Sequence, residues 1–420
     1  MDNAMEEYWP RLSDIQKAKQ RLSGIAEQTP LTRNMSLSEK YGADIWLKRE
    51  DLQVVRSYKI RGAYNKISSL TPEETERGVV CASAGNHAQG VAFAARRLAI
   101  KAVIFMPKPT PQQKIRQVTM HGRDNVEIVL SGDTYDDSCR DAKEFCRENN
   151  SCFIHPFDDP LTIEGQGTVG LDILNDAKDH IDYLVLPIGG GGLASGVSSV
   201  FRAISPDTKI IGVEAAGAAS MKRSLEAGRV TTLGEIDTFA DGIAVRTPGE
   251  ITFRICGKLL DDILVVPEGK MCTTILELYN ESAIVAEPAG AASIAALSLL
   301  GGAIKGKNVV CVVSGGNNDI TRMEEIKERS MLYEGLKHYF IVRFPQRAGA
   351  LREFLDKALG PGDDITLFQY AKANSREKGP AVVGIEICSP GDFEPLISRM
   401  KEYNIVYEYL NDKPDLLRLI

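Results

Sequence analysis

Short apolar runs alternate with amphipathic stretches between about residue 43 and residue 330. Several runs are unbroken series of Val, Ile and Leu, which is typical of strands buried on both faces of a largely parallel sheet. In His87–Leu98 the apolar residues recur at helical spacing instead. The alternation predicts an α/β architecture, as one large sheet or as two lobes. The predicted strands are Asp44–Lys48, Val79–Ala82, Ala102–Met106, Val126–Leu130, Tyr183–Ile188, Ile210–Val213, Ile263–Val266 and Val309–Val313.

The hydrophobic pattern changes near Met331. In the segment 337–420 it predicts short strands and helices in the order β-α-β-β-α-β. That order is the split βαβ motif. We therefore predict a first domain over 1–330 and a small second domain over 337–420, joined by a polar helix at Met323–Arg329. The elements predicted in the second domain are strand His338–Phe344, a helix from Leu351 to Ala358, strands Ile365–Tyr370 and Ala381–Ile387, helix Phe393–Met400 and strand Ile405–Leu410.

Composition narrows the class of protein. Of the 420 residues, 43% are hydrophobic and 25% are charged, close to the average of soluble globular proteins. The net charge of −7 and the pI of about 5.5 disfavour nucleic-acid binding, because that needs a concentrated basic face. No cluster of Lys and Arg indicates binding to an anionic membrane. The eight cysteines form no C-x-x-C pair, so we expect no metal site and a reducing, cytoplasmic location.

The first candidate for chemistry is the segment Ser57–Ala63, S-Y-K-I-R-G-A. Ser57 is a plausible N-cap for a helix that runs to about Leu70. Lys59 would then lie in the first turn, where the positive end of the helix dipole lowers the pKa of its amine. A lysine of low pKa can form a Schiff base with a carbonyl. The heptapeptide alone is more often an ordinary surface segment.

The second candidate is the turn that follows the strand Val79–Ala82. A strand, a small-residue turn and a helix leave backbone N–H groups free at the start of the helix, which suits an anion such as a substrate carboxylate. Asn86 could add a side-chain hydrogen bond, and the alternative is a plain turn with Asn86 as a cap and His87 as a structural histidine. The residues of this turn are Ser83, Ala84, Gly85, Asn86 and His87.

The third candidate is a run of four glycines and a leucine between the strand Tyr183–Ile188 and a helix predicted at Ala194–Ala203. The chain has 37 glycines where about 29 are expected at roughly 7% usage, so their position matters more than their number. Glycine allows a ligand to approach the backbone, and at a helix start this favours phosphate binding over a flexible turn. The residues are Gly189, Gly190, Gly191, Gly192 and Leu193.

The fourth candidate is Ser314, which follows the strand Val309–Val313 and precedes two glycines. Open α/β sheets bind ligands at this end of their strands, and the hydroxyl could bond a ring nitrogen. Alone, such a residue is more often a turn serine. Together the four segments imply one ligand with a phosphate, a carbonyl and a ring nitrogen. Pyridoxal 5′-phosphate has all three.

These segments, in this order, resemble the pyridoxal-phosphate enzymes of the tryptophan synthase β-like group, also called fold type II, and within it the threonine dehydratases or threonine ammonia-lyases. Lys48–Gln53 (K-R-E-D-L-Q) and Glu287–Ala291 (E-P-A-G-A) fit the same family. Pro345–Leu351 fits the first strand–helix loop of its single ACT-like regulatory domain. Tyr58 departs from the pattern, because the family often has Phe there. The resemblance implies a two-lobed catalytic unit followed by a βαββαβ domain.

The resemblance also implies roles. Lys59 would form the covalent link to the cofactor, and Asn86 would bind its 3′-oxygen. The loop Gly189–Leu193 would hold the phosphate, Ser314 would meet the pyridine nitrogen, and Ser83–His87 would bind the substrate carboxylate. The implied reaction is deamination of L-threonine to 2-oxobutanoate and ammonia, the first step of isoleucine synthesis. Isoleucine would inhibit the enzyme at the C-terminal domain, and the implied assembly is a cytoplasmic homotetramer.

Three alternatives stay open at this point. A serine racemase or a catabolic serine/threonine deaminase shares these motifs, although those enzymes usually lack the C-terminal domain. A non-catalytic amino-acid or pyridoxal-phosphate sensor is disfavoured, because both Lys59 and Ser314 are present. The C-terminal domain could serve oligomerisation alone rather than regulation.

Overall fold

The computed structural model describes residues 8–370 and 378–417. The chain divides into two compact units, residues 1–320 and 321–420. The strands of the first unit are β1 (Leu31–Arg33), β2 (Asp44–Arg49), β3 (Val79–Ala82), β4 (Ala102–Met106), β5 (Val126–Leu130), β6 (Cys152–Phe153), β7 (Tyr183–Pro187), β8 (Lys209–Ala215), β9 (Asp262–Val266) and β10 (Asn308–Val313).

Helices separate most of these strands. They are α1 (Leu12–Arg21), α2 (Met35–Tyr41), α3 (Lys59–Ile67), α4 (Pro72–Arg77), α5 (Asn86–Arg97), α6 (Gln112–Gly122), α7 (Tyr135–Glu148), α8 (Pro160–Asp176), α9 (Gly192–Ile204), α10 (Ser220–Ala227), α11 (Glu250–Leu259), α12 (Glu268–Ser282), α13 (Pro288–Ala295) and α14 (Leu297–Leu300).

The smaller lobe of the first unit is a parallel sheet of four strands in the order β5-β4-β3-β6. All four residues of the central strand β3 are buried, as an unbroken apolar run predicts for a sheet covered on both faces. Helix α5 packs Val91, Ala94 and Ala95 into the same core. The helical spacing of the apolar residues in His87–Leu98 therefore correctly predicted the face of α5 that is buried.

The larger lobe is a six-stranded sheet in the order β1-β2-β10-β7-β8-β9. All neighbours are parallel except β1, which is antiparallel to β2. The two separate sheets confirm the two-lobed α/β architecture. Strands β7 and β10 are neighbours, so their carboxyl ends meet at one edge of the sheet. The residues that follow each of them, Gly189–Leu193 and Ser314, are thereby placed at a common ligand-binding edge.

Some predicted bounds were wrong. Helix α3 ends at Ile67 rather than near Leu70, because the hydroxyls of Ser68 and Ser69 both donate to the carbonyl of Asn65. Such side-chain bonds compete with the helical pattern. Strands β1 and β6 were not predicted, since two or three residues are too few to show a period. The predicted linker helix extends from Met323 to Tyr333.

A buried ion-pair network anchors the helix that Lys59 begins. Arg61 donates from Nε and Nη2 to both carboxylate oxygens of Glu50, at 2.8 and 2.7 Å. Nη2 also lies 2.8 Å from Oδ2 of Asp172. Arg61 and Glu50 are fully buried, or nearly so, and a buried charge is tolerated only when its partners satisfy it. The network therefore fixes the start of α3 against the turn that follows β2.

The second unit contains α15 (Met323–Tyr333), β11 (Lys337–Pro345), α16 (Ala350–Ala358), β12 (Asp364–Tyr370), β13 (Lys378–Glu386), α17 (Phe393–Glu402), β14 (Val406–Tyr409) and α18 (Pro414–Leu417). Its sheet is antiparallel, in the order β12-β13-β11-β14. From β11 to β14 the elements follow the predicted β-α-β-β-α-β order, which is confirmed. Both α16 and α17 bury apolar residues, Phe354 and Leu396 among them, against one face of this sheet.

None of the helices within the described ranges is both long enough and apolar enough to cross a lipid bilayer. Within the same ranges, no group of three or more His, Cys, Asp or Glu side chains is placed to hold a metal ion.

Candidate active site

Lys59 is the first residue of helix α3, as its position in the first turn predicted. Its Nζ donates to the backbone carbonyl of Pro156 at 2.8 Å. The side chain is half-buried, and burial lowers the pKa of the amine to about 8, although the nearby carboxylate of Glu287 acts in the opposite direction. A lysine in this state is partly unprotonated near neutral pH, so it can act as a nucleophile or as a base.

Ser57 is not the N-cap of this helix, and that prediction was wrong. Tyr58 holds the cap position, and its side chain makes no capping hydrogen bond. The backbone of Ser57 forms an isolated antiparallel bridge with Gly315, and the Tyr58 N–H donates to the Ser314 carbonyl at 3.2 Å. This backbone pairing places the segment that carries Lys59 directly beside the turn that carries Ser314.

The turn from Ser83 to His87 connects β3 to α5 and includes the N-cap of that helix, Gly85. The hydroxyl of Ser83 accepts a hydrogen bond from the Gly85 N–H at 3.2 Å. The N–H groups of Ala84, Asn86 and His87 have no acceptor among the described residues. Free N–H donors at a helix start suit an anion such as a carboxylate.

Only one of the two ring nitrogens of His87 has a structural partner within the described ranges. Its Nε2 is 2.9 Å from the Ile154 carbonyl, which can only accept, so Nε2 carries the proton. Burial, reinforced by the positive charge of Lys59, lowers the pKa of His87 to about 3. The ring is therefore neutral, and its buried Nδ1 is an acceptor without a partner in the described chain.

The glycine loop has the geometry of a phosphate cradle. Gly191 adopts φ +91° and is the N-cap of helix α9. The N–H groups of Gly190, Gly191, Gly192 and Leu193 have no acceptor among the described residues. The carbonyl of Gly190 instead accepts from Oγ1 of Thr252 at 2.6 Å. The loop thus leaves these N–H groups free for an anion such as a phosphate, while the Gly190 carbonyl is bound elsewhere.

Ser314 lies at the end of β10 and is almost completely buried. Its backbone carbonyl is used by Tyr58, whereas no described residue is hydrogen-bonded to its hydroxyl. A hydroxyl that is buried and free to donate or accept suits the ring nitrogen of a bound heterocycle.

Sequence reasoning missed the connecting segment 154–158, which contacts Lys59, His87 and the glycine loop. Pro156 binds Lys59, and Ile154 binds His87. The Phe157 ring lies against the glycine loop, so a Cβ on Gly190 would come within 2.2 Å of it. The carboxylate of Asp158 caps helix α11 by accepting from three successive backbone N–H groups at 3.0–3.1 Å. An irregular segment of this kind has no hydrophobic period that could reveal it.

Two further residues were given no role from the sequence. Glu287 accepts a hydrogen bond from Nδ2 of Asn86 at 2.6 Å. Asn317 donates from its own Nδ2 to Oδ1 of Asn86 at 2.7 Å. The four predicted segments are therefore connected, either directly, through Glu287 and Asn317, or through the segment 154–158. They combine an amine, two sets of free N–H donors and a buried hydroxyl, and this set of groups fits pyridoxal 5′-phosphate with an amino acid beside it.

Comparison with known proteins agrees with this chemistry. Residues 22–315 match the family of pyridoxal-phosphate dependent enzymes, and residues 328–420 match the C-terminal regulatory domain of threonine dehydratase. The chain is 57% identical over 410 residues to the biosynthetic L-threonine dehydratase of Bacillus subtilis strain 168, covering 98% of this chain and 97% of the relative. This chain belongs to the biosynthetic threonine dehydratase family. The family and the cofactor predicted from the four motifs are confirmed.

Other threonine dehydratases and related enzymes extend the similarity. The biosynthetic L-threonine dehydratase of Lactococcus lactis is 52% identical, covering 97% of this chain and 99% of that one. The solved structure of processed threonine deaminase isoform 2 from Solanum lycopersicum is 41% identical, with a TM-score of 0.73 over 79% of this chain and 90% of that one. Maize serine racemase is 32% identical, with a TM-score of 0.71 over 78% of this chain and 99% of the racemase.

The contact between Phe157 and the glycine loop yields a prediction. Gly190→Ala forces the ring aside, and overpacking of this kind costs about 1–3 kcal/mol. We expect the affinity for pyridoxal 5′-phosphate to fall by about tenfold or more, measured by fluorescence titration of the apoenzyme. Gly234→Ala is the matched control, because nothing lies within 4 Å of that position. Equal affinity of Gly190→Ala and the control would contradict the cradle.

Proposed function

We propose that this enzyme converts L-threonine to 2-oxobutanoate and ammonia, and that this is the first step of isoleucine synthesis. The observation that carries the proposal is the position of Lys59. Three residues of the connecting segment contact these groups: Pro156 contacts this lysine, Ile154 contacts His87, and Phe157 contacts the glycine loop. A base of lowered pKa therefore lies next to two sites for anions, as removal of a proton from Cα of a bound amino acid requires.

The roles of the residues follow from their free groups. The N–H donors of Gly189–Leu193 hold the cofactor phosphate, and Ser314 meets the pyridine nitrogen with a neutral hydroxyl. Asn86 binds the 3′-oxygen of the ring. Lys59 forms the covalent attachment of the cofactor in the resting enzyme. The substrate carboxylate is bound by the free donors of the turn, which comprises Ser83, Ala84, Gly85, Asn86 and His87.

When bound, pyridoxal 5′-phosphate supplies a ring that withdraws electrons from Cα of the attached amino acid. Lys59, once released, takes the Cα proton. Ser314 is neutral and does not protonate the ring nitrogen, so negative charge is not strongly stabilised on the ring. That arrangement would favour early loss of the β-hydroxyl over transamination. The hydroxyl would leave as water, and the proton that it takes up balances the one that Lys59 removes from Cα. The free enamine of the product then tautomerises and is hydrolysed to 2-oxobutanoate and ammonia.

Serine racemase activity is the second candidate, because the racemase from maize has 32% identity to this chain. That alignment spans 99% of the racemase but 78% of this chain. The additional residues here include the segment that matches a regulatory domain of threonine dehydratase. This argues for the dehydratase, and chiral analysis of serine after incubation separates the two activities.

The C-terminal region, residues 337–420, is the regulatory domain in this proposal, and isoleucine is its effector. Feedback by the end product requires a site distinct from the substrate site and two states of the enzyme that bind isoleucine unequally. The match of residues 328–420 to a regulatory domain supports this role over oligomerisation alone. The working assembly in the proposal is a cytoplasmic homotetramer.

Replacement of Lys59 tests the catalytic assignment. Lys59→Ala should abolish 2-oxobutanoate formation from threonine and the visible absorption of the holoenzyme, whereas Lys101→Ala, an exposed lysine, should change neither. The wild-type kcat should rise as pH increases through about 8, since the amine acts as a base only after it loses its proton. Continued threonine turnover by Lys59→Ala would show that another residue removes the Cα proton.

Isoleucine inhibition tests the regulatory assignment. Adding isoleucine to the full-length enzyme should lower its turnover of threonine. An enzyme that lacks the residues from 336 onward should retain turnover and lose the response to isoleucine, because the effector site has been removed. Inhibition that is unchanged in the shortened enzyme would place the isoleucine site in the catalytic unit instead.

A further inference from the structure

The side-chain amide of Asn86 is oriented by a chain of hydrogen bonds that begins at a backbone carbonyl. Asn317 donates from Nδ2 to the Val55 carbonyl at 2.8 Å and to Oδ1 of Asn86 at 2.7 Å. A backbone carbonyl can only accept. The atom of Asn317 that faces it is therefore the nitrogen, and the atom of Asn86 that faces this nitrogen is the oxygen. The first link of the chain thus determines the orientation of both amides.

Glu287 is the acceptor at the other end of this chain of hydrogen bonds. Oε1 accepts from Nδ2 of Asn86 at 2.6 Å, and the backbone N–H of Asn317 also donates to the carboxylate. Gly315 packs closely against this carboxylate, because a Cβ on Gly315 would lie 2.1 Å from Oε1 of Glu287. The Glu287 N–H donates to the Gly315 carbonyl at 3.2 Å. The acceptor for Asn86 is therefore held rigidly by the turn that carries Ser314.

This arrangement leaves one donor unused. The Asn86 amide has two N–H bonds, and Glu287 takes one. The other has no acceptor among the described residues, and Asn86 is half-buried at the start of helix α5. Rotating the amide by half a turn would set its nitrogen against the Asn317 nitrogen and its oxygen against the Glu287 carboxylate. Two hydrogen bonds would be lost, so Asn86 presents a donor to the site.

We propose that Glu287 and Asn317 are positioning residues that hold the free N–H of Asn86 toward the ring oxygen of pyridoxal 5′-phosphate. The inference rests on the proposed function, in which Asn86 binds that oxygen. A fixed donor favours the anionic form of the oxygen and strengthens its hydrogen bond. The affinity for the cofactor and the position of its visible absorption band therefore depend on two residues that do not touch it.

The energetic state of Glu287 agrees with such a role. Burial raises the pKa of this carboxyl to about 8, and Asp241 adds to the effect, while the bond from Asn86 and the charge of Lys114 oppose it. Glu287 in turn acts on the pKa of Lys59 and Tyr58. A buried acid with a strongly raised pKa beside a reactive lysine is characteristic of functional sites.

The test uses the holoenzyme and two substitutions, one at each end of this chain of hydrogen bonds. Glu287→Gln replaces one of the two acceptor oxygens by an amide donor and keeps the shape, and Asn317→Asp removes the donors to Val55 and Asn86. Each should weaken pyridoxal 5′-phosphate binding by about tenfold, the worth of about one buried hydrogen bond. Each should also shift the visible band. The double variant should lose little more than either single one, because the residues act as one chain.

The control is Glu277→Gln, which alters a surface carboxylate paired with Lys40 and should leave cofactor affinity and band unchanged. Thermal unfolding of the apoenzymes separates positioning from loss of fold. Wild-type affinity and an unshifted band in both Glu287→Gln and Asn317→Asp would overturn the inference. If Asn86→Ala also leaves both readouts unchanged, the role of Asn86 in the proposed function fails; if it alone changes them, only the positioning claim fails.

Discussion

The site depends on the backbone pairing between the residues before helix α3 and the turn after strand β10. Ser57 bridges Gly315, and the Tyr58 N–H bonds the Ser314 carbonyl. These segments lie more than 250 residues apart in the chain, yet the pairing sets Lys59 beside the carboxyl edge of the larger sheet. The buried ion pair between Arg61 and Glu50 holds the same helix. The reactive amine is thus positioned by backbone and ion pairs before any ligand binds.

Much of the architecture could be predicted because it follows from periodicity. The strands Val79–Ala82, Ala102–Met106 and Val126–Leu130 have the predicted bounds. The first two are continuous apolar runs within a sheet covered by helices, and the third is apolar except for Glu127. The glycine loop was recognisable for a related reason. Four consecutive glycines are costly in ordered structure unless the backbone itself is used, and here its N–H groups remain free for a ligand.

The rest depends on contacts between distant residues, which periodicity does not encode. Ser57 has the composition of an N-cap, but the tertiary bridge to Gly315 overrides that local preference. Glu287 and Asn317 are meaningful only because Asn86, from the other lobe, lies between them. The connecting segment 154–158 acts largely through backbone carbonyls, which every residue has. The residues that hold the site together therefore carry weaker sequence signals than those expected to bind the ligand.

The central claim is that the fold selects Lys59, among all the lysines of the chain, as the residue that bonds to the cofactor. Reduction of the holoenzyme with sodium borohydride makes that bond permanent, and mass spectrometry of the digested protein then locates it. The geometry predicts that the modified peptide contains Lys59. Attachment to a different lysine, such as Lys48, whose buried amine is bound to the Thr29 carbonyl, would contradict the assignment.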